Sequence, residues 1–85
     1  MNLCWIIPLA GGSEKRDVQA ADLKELLASG YHEWRLVCHR ASGPREITLY
    51  AQGDGKTPPS AIEAAKGARH FFGECETNEV FRPHT

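Results

Sequence analysis

The hydrophobic positions fall into six short segments whose spacing changes along the chain. Leu3 to Leu9 is apolar almost throughout, the pattern of a strand buried on both faces in the middle of a sheet. Gly11-Gly12-Ser13 follows as a turn, with Ser13 as a helix N-cap and Glu14 near the helix N-terminus. Over Glu14 to Ser29, Ala20, Leu23, Leu26 and Leu27 share one side at helical spacing, and Gly30 is the stop.

Tyr31 to Arg40 alternates instead. Trp34, Leu36 and Cys38 face one way, and Glu33, Arg35, Val37 and His39 the other. After the turn Ala41-Ser42-Gly43-Pro44, Arg45 to Gln52 alternates again, with Ile47, Leu49 and Ala51 opposed to Glu46, Thr48, Tyr50 and Gln52. These two runs predict a hairpin. A second helix opens at Thr57-Pro58-Pro59-Ser60, either with proline in its first turn or with Ser60 and Glu63 as a capping box. Its apolar stripe is Ala61, Ile62, Ala64, Ala65, Ala68, Phe71 and Phe72, and Gly73 ends it. Glu79 to Arg82 supplies a short last strand.

The order β-α-β-β-α-β predicts a single α+β domain over residues 1–85. It would be a two-layer, ferredoxin-like sandwich, with two helices on one face of an antiparallel sheet. A double-stranded-RNA-binding domain is the nearest rival topology. It fits less well, because here a strand precedes the first helix.

Composition narrows the class. At 85 residues, 41% hydrophobic and 25% charged, the chain has the balance of one globular domain. Ten Lys and Arg against eleven Asp and Glu give a net charge of -1, which excludes a broadly basic, non-specific DNA coat. No apolar run approaches the roughly 20 residues needed to span a bilayer. The N-terminal apolar stretch lacks a basic region and is broken by Pro8, so it reads as a strand rather than a signal peptide. Cys4, Cys38 and Cys75 cannot all pair. Read as unpaired thiols, they point to a reducing cytoplasm.

If both helices cover one face, the other exposes Glu33, Arg35, Val37, His39, Glu46, Thr48, Tyr50 and Gln52. Cys4-Trp5-Ile6-Ile7-Pro8-Leu9 resembles the first-strand motif of RNA-recognition motifs, with Pro8 where that family has Asn. The resemblance implies base stacking on Trp5, with Tyr50 as partner on the neighbouring strand. Arg35, Arg40, Arg45 and Lys56 gather around the hairpin with His39, whereas Glu74, Glu76 and Glu79 make an acidic C-terminal turn. The Gly11-Gly12-Ser13 turn with Lys15 and Arg16 is a weaker phosphate candidate, lacking the spacing of a phosphate-binding loop.

Catalytic chemistry has little to stand on. His32, His39, His70 and His84 are potential bases, but Cys38 and His39 are adjacent in a strand and point to opposite faces. Cys38 falls on the apolar side as packing, and no close His or Cys pair starts a metal site. Small CRISPR-associated nucleases resemble this architecture but carry an Asp where this chain has Pro8-Leu9-Ala10. Acylphosphatase-like chemistry would need an Arg-rich loop after the first strand, and Gly11-Gly12-Ser13 does not supply one.

The expectation is therefore a small non-catalytic interaction protein without cofactor. It would bind a protein or nucleoprotein partner through Arg35, His39, Arg45 and Tyr50, as phage and mobile-element inhibitors and adaptors of this size do. The alternative is an RNA- or single-strand-binding module using Trp5, Arg35, His39, Arg45 and Tyr50. Free strand edges also permit a homodimer.

Overall fold

The computed structural model describes residues 2–83. They form β1 (Asn2–Ile7), β2 (Glu14–Val18), α1 (Ala20–Ala28), β3 (Tyr31–His39), β4 (Arg45–Gln52), α2 (Ala61–Phe72) and β5 (Thr77–Phe81). One five-stranded mixed sheet runs in the order β2-β1-β4-β3-β5. β1 and β4 are parallel, and every other neighbouring pair is antiparallel.

An α+β domain is present, but the ferredoxin-like arrangement is not. The difference starts at Glu14. Instead of opening a helix, Glu14–Val18 turns back along β1, with Ile6 opposite Glu14 and Asn2 opposite Val18. Gly11 and Gly12 both take positive φ, and the Gly11 N–H donates to the Pro8 carbonyl to close the turn. Every residue of the predicted helical stripe lies within residues 20–28; the four before Val18 are charged and supply no apolar contact. The cap is set at Gln19, whose backbone N–H donates to the Asp22 carboxylate at 3.1 Å. The added strand reverses the chain once more before α1, so β4 rather than β3 runs parallel to β1. The charges of β2 also blunt that edge against strand addition.

The helices lie on opposite faces, giving three layers rather than two. On one face α2 brings Ala64, Ala68 and Phe71 onto Trp5, Ile7, Trp34, Leu36, Leu49 and Ala51. On the other, Leu23 and Leu26 of α1 pack with Cys4, Ile6, Val18, Tyr31 and Tyr50. Strand alternation makes this division necessary, because Trp5 and its neighbours Cys4 and Ile6 point oppositely. The apolar character of β1 on both sides is thus accounted for. Ile62, assigned to the α2 stripe by spacing, is 71% exposed.

Cys38 and Cys75 form a disulfide, tying β3 to the turn before β5 with Cα atoms 5.5 Å apart. Cys38 is therefore bonded rather than free packing, and the inference of a reducing cytoplasm loses its premise. No helix among the described residues is long and apolar enough to cross a membrane.

The loop from β4 to α2 is organised by Asp54. Its carboxylate accepts the Lys56 and Thr57 backbone N–H groups, both at 2.8 Å, and the Thr57 hydroxyl at 3.0 Å. The Thr57 and Lys56 amides hold its carboxyl below the ordinary carboxylate range. A depressed value means these bonds persist above the ordinary range and are lost as pH falls through the lowered one. Asp54→Ala is expected to speed amide exchange at Lys56 and Thr57 at neutral pH. Unchanged exchange at both would show that the loop is held by something else.

Candidate functional site: the uncovered half of a sheet face

With nine residues, α1 reaches only part of its face. Its packing ends at Tyr50 and at Tyr31, the first residue of β3, leaving the rest of β3, the start of β4 and β5 without a helix on this face. Cross-strand register sets Arg35 opposite Thr48 and Phe81, Val37 opposite Glu46 and Glu79, and His39 opposite Thr77. Opposed residues share a face, so Arg35, Val37, His39, Glu46, Thr48, Glu79 and Phe81 form one surface.

Arg35 is its centre. The guanidinium lies 3.5 Å from the Glu33 carboxylate and 3.3 Å from that of Glu46, and it donates to the Thr48 hydroxyl. His39 Nε2 lies 3.2 Å from Glu79 Oε1. Val37 is almost covered between its charged neighbours, while Phe81 is 38% exposed. A concavity of about 930 Å³ leads from this surface toward α1, lined in part by Cys4, Leu23, Glu33, Arg35, Thr48 and Tyr50. Tyr50 is buried, and that burial pushes its phenol up, with the Glu33 carboxylate adding to the shift. Its hydroxyl points to Glu33 at 3.5 Å, the far limit of a hydrogen bond.

Of the residues singled out from sequence, Arg35 and His39 stand on the open surface and Tyr50 on the concavity's inner wall. Arg45 does not join them. It pairs in register with Cys38 and belongs to the α2 side of the sheet. The basic cluster around the hairpin is dispersed as well. Arg35 sits between carboxylates, Arg40 donates to the Phe72 carbonyl, and Lys56 lies in a loop at the far end of β4. Glu79, read from sequence as part of an acidic turn, is instead the partner of His39. The alternation of Thr77, Glu79 and Phe81 was the signal for that placement.

Trp5 and Tyr50 do not make a stacking platform, because they lie on opposite faces and each is 7% exposed. The Trp5 ring is enclosed by α2, with His70 at 5.6 Å and Phe71 at 6.2 Å between centroids. Gly11-Gly12-Ser13 leads into a strand, so it has no helix N-terminus to offer a phosphate.

No group of three or more His, Cys, Asp or Glu that could hold a metal ion occurs among the described residues; His84 lies outside them. Burial pushes the Cys4 thiol up to about 11, so it is protonated at neutral pH and poorly nucleophilic. Cys4 is expected to resist alkylation by iodoacetamide until the protein unfolds. Rapid labelling under native conditions would contradict that assignment.

No family model, curated protein or solved structure matches the chain.

Proposed function

We propose that the chain is a non-catalytic binding module that docks a partner protein on the uncovered half-face around Arg35. The observation that carries this reading is the shortness of α1, which leaves one half of a sheet face without a helix while α2 covers the opposite face. The surface mixes a fixed guanidinium, carboxylates, a hydroxyl and the apolar Phe81, a combination suited to a protein interface. Two carboxylates, Glu33 and Glu46, flank the Arg35 guanidinium, and a third, Glu79, pairs with His39 on the same surface. That balance favours a protein over a nucleic-acid backbone, whose phosphates require net positive charge.

Site-specific photocrosslinking tests the reading. A photoreactive side chain at Thr48 is expected to capture a discrete partner, with capture competed by unmodified protein. The same group at Lys24, on α1, is expected not to do so. Arg35→Glu should weaken competition about tenfold or more, by reversing the central charge of a complementary surface. Equal capture from both positions, or competition unaffected by Arg35→Glu, would refute the docking face. Labelled single-stranded RNA is expected to show no shift even at low salt.

A further inference from the structure

The sheet ends in two edge strands, β2 and β5, and they are built differently. β2 presents an unbroken charged run from Glu14 to Asp17, which deters strand addition. β5 reads Thr-Asn-Glu-Val-Phe, with a single charge and no lysine or proline. Its register with β3 is regular from Arg35 opposite Phe81 to His39 opposite Thr77, with no bulge. Along such a strand alternate N–H and C=O groups turn away from β3, where no neighbouring strand lies among the described residues.

The edge is fixed in place and in length. The Cys38–Cys75 disulfide fastens the turn before β5 to β3, and the Glu76 N–H donates to the His39 carbonyl at 2.8 Å. Past Phe81, where β5 stops, Arg82 donates to the Glu33 carbonyl at 2.7 Å and holds its guanidinium 5.5 Å over the Trp34 ring. The part of β3 that outruns β5 is thus occupied by a side chain, and the open edge is β5 itself. A strand already held extended loses little conformational freedom when another pairs with it.

Charge along this edge has a direction. Glu74 and Glu76 precede β5, both exposed, and neither enters an ion pair among the described residues. Arg40 borders the same hollow, but its guanidinium is turned to the Phe72 carbonyl. Glu79, paired with His39, adds a third carboxylate. At the opposite end stand the apolar Val80 and Phe81, followed by the fixed cation of Arg82. A second copy of β5 is a poor occupant, because the antiparallel register centred on the strand sets Glu79 against its own counterpart.

We propose that β5 is a docking edge for an extended peptide, which pairs antiparallel with it and carries apolar side chains toward Phe81 and basic side chains toward Glu76 and Glu74. Main-chain groups of β5 hold the peptide, and the charges set its direction. The edge borders the docking face at Glu79 and Phe81 but does not rest on that reading, so capture at Thr48 and peptide binding can fail separately.

The test is a titration of the full chain with acetyl-Thr-Val-Ile-Lys-Thr-Val-Lys-amide. With its first valine opposite Phe81, its lysines fall opposite Glu79 and Glu76. Saturable NMR shifts are expected in the amides of Thr77–Phe81, with every second one slowed in exchange. The same peptide with glutamate for both lysines should bind about tenfold more weakly. Glu74→Lys combined with Glu76→Lys, at exposed positions, should remove that preference. N-methylation of one alternating set of peptide amides should abolish binding, and of the other set should leave it intact. Absence of a saturable shift in β5, equal binding of the two peptides, or equal loss from both methylated sets would each overturn the proposal. So would protection of β5 that grows with protein concentration in the absence of peptide, which would make the occupant a second copy.

Discussion

Reduction of the Cys38–Cys75 disulfide is expected to lower the stability of the protein by about 4 kcal/mol, on the chain-entropy account of a cross-link closing a loop of this size. The two cysteines are 37 residues apart, so the bond removes much of the unfolded chain's freedom. Cys75→Ser should reproduce most of the loss under oxidising conditions. The effect should also be local. Cys38 pairs in register with Asn78, so amide exchange in β5 should rise more than in β1 or β4. Because β5 carries Glu79 and Phe81, loosening it would open one border of the docking face. An unfolding midpoint unaffected by reductant would contradict this account.

The second large effect lies where α2 crosses β1. Gly67 stands in the helix interior, where alanine would ordinarily gain about 1 kcal/mol. A Cβ at Gly67 would fall 2.6 Å from Cγ of the Trp5 ring and 2.8 and 2.9 Å from two of its neighbours. The ring cannot step aside easily, since its indole N–H is bonded to the Glu63 carbonyl and 7% of the residue is exposed. Gly67→Ala should therefore destabilise by about 1–3 kcal/mol despite its better propensity. Trp5→Ala should cost about 3–5 kcal/mol through the lost burial and the cavity left behind. The two positions must couple: in a Trp5→Leu background, Gly67→Ala should become neutral or stabilising. Additive losses, measured by chemical denaturation, would mean that the close approach is not what fixes α2.

Much of the fold was legible in period and punctuation. The alternation of Tyr31–His39 and Arg45–Gln52 gives the hairpin, and the Ser60–Phe72 pattern with Gly73 gives α2. β2 was not legible, because Glu14-Lys15-Arg16-Asp17 is charged throughout and shows neither a helical stripe nor strand alternation. Its pairing with β1 is a long-range event that local preference does not report. That one omission changed the strand order, the helix faces and the number of layers together.

The site divides in the same way. Arg35 and His39 follow from strand parity alone, and parity also separates Arg45 from them, since it shares the face of Ile47 and Leu49. Setting Trp5 beside Tyr50 assumed one free face, and that assumption fails once α1 and α2 lie on opposite sides. The disulfide was hidden because 37 residues separate its cysteines and spacing carries no pairing information at that range.

α1 covers one half of its sheet face and leaves the Arg35 half in solvent. Relaxation enhancement by a neutral, soluble gadolinium chelate measures this directly in the full chain. Strong broadening is predicted for side-chain signals of Arg35, His39, Glu46 and Phe81, with Cys4, Ile6 and Leu26 protected. Protection of Arg35, Glu46 and Phe81 comparable to that of Ile6 would contradict the account.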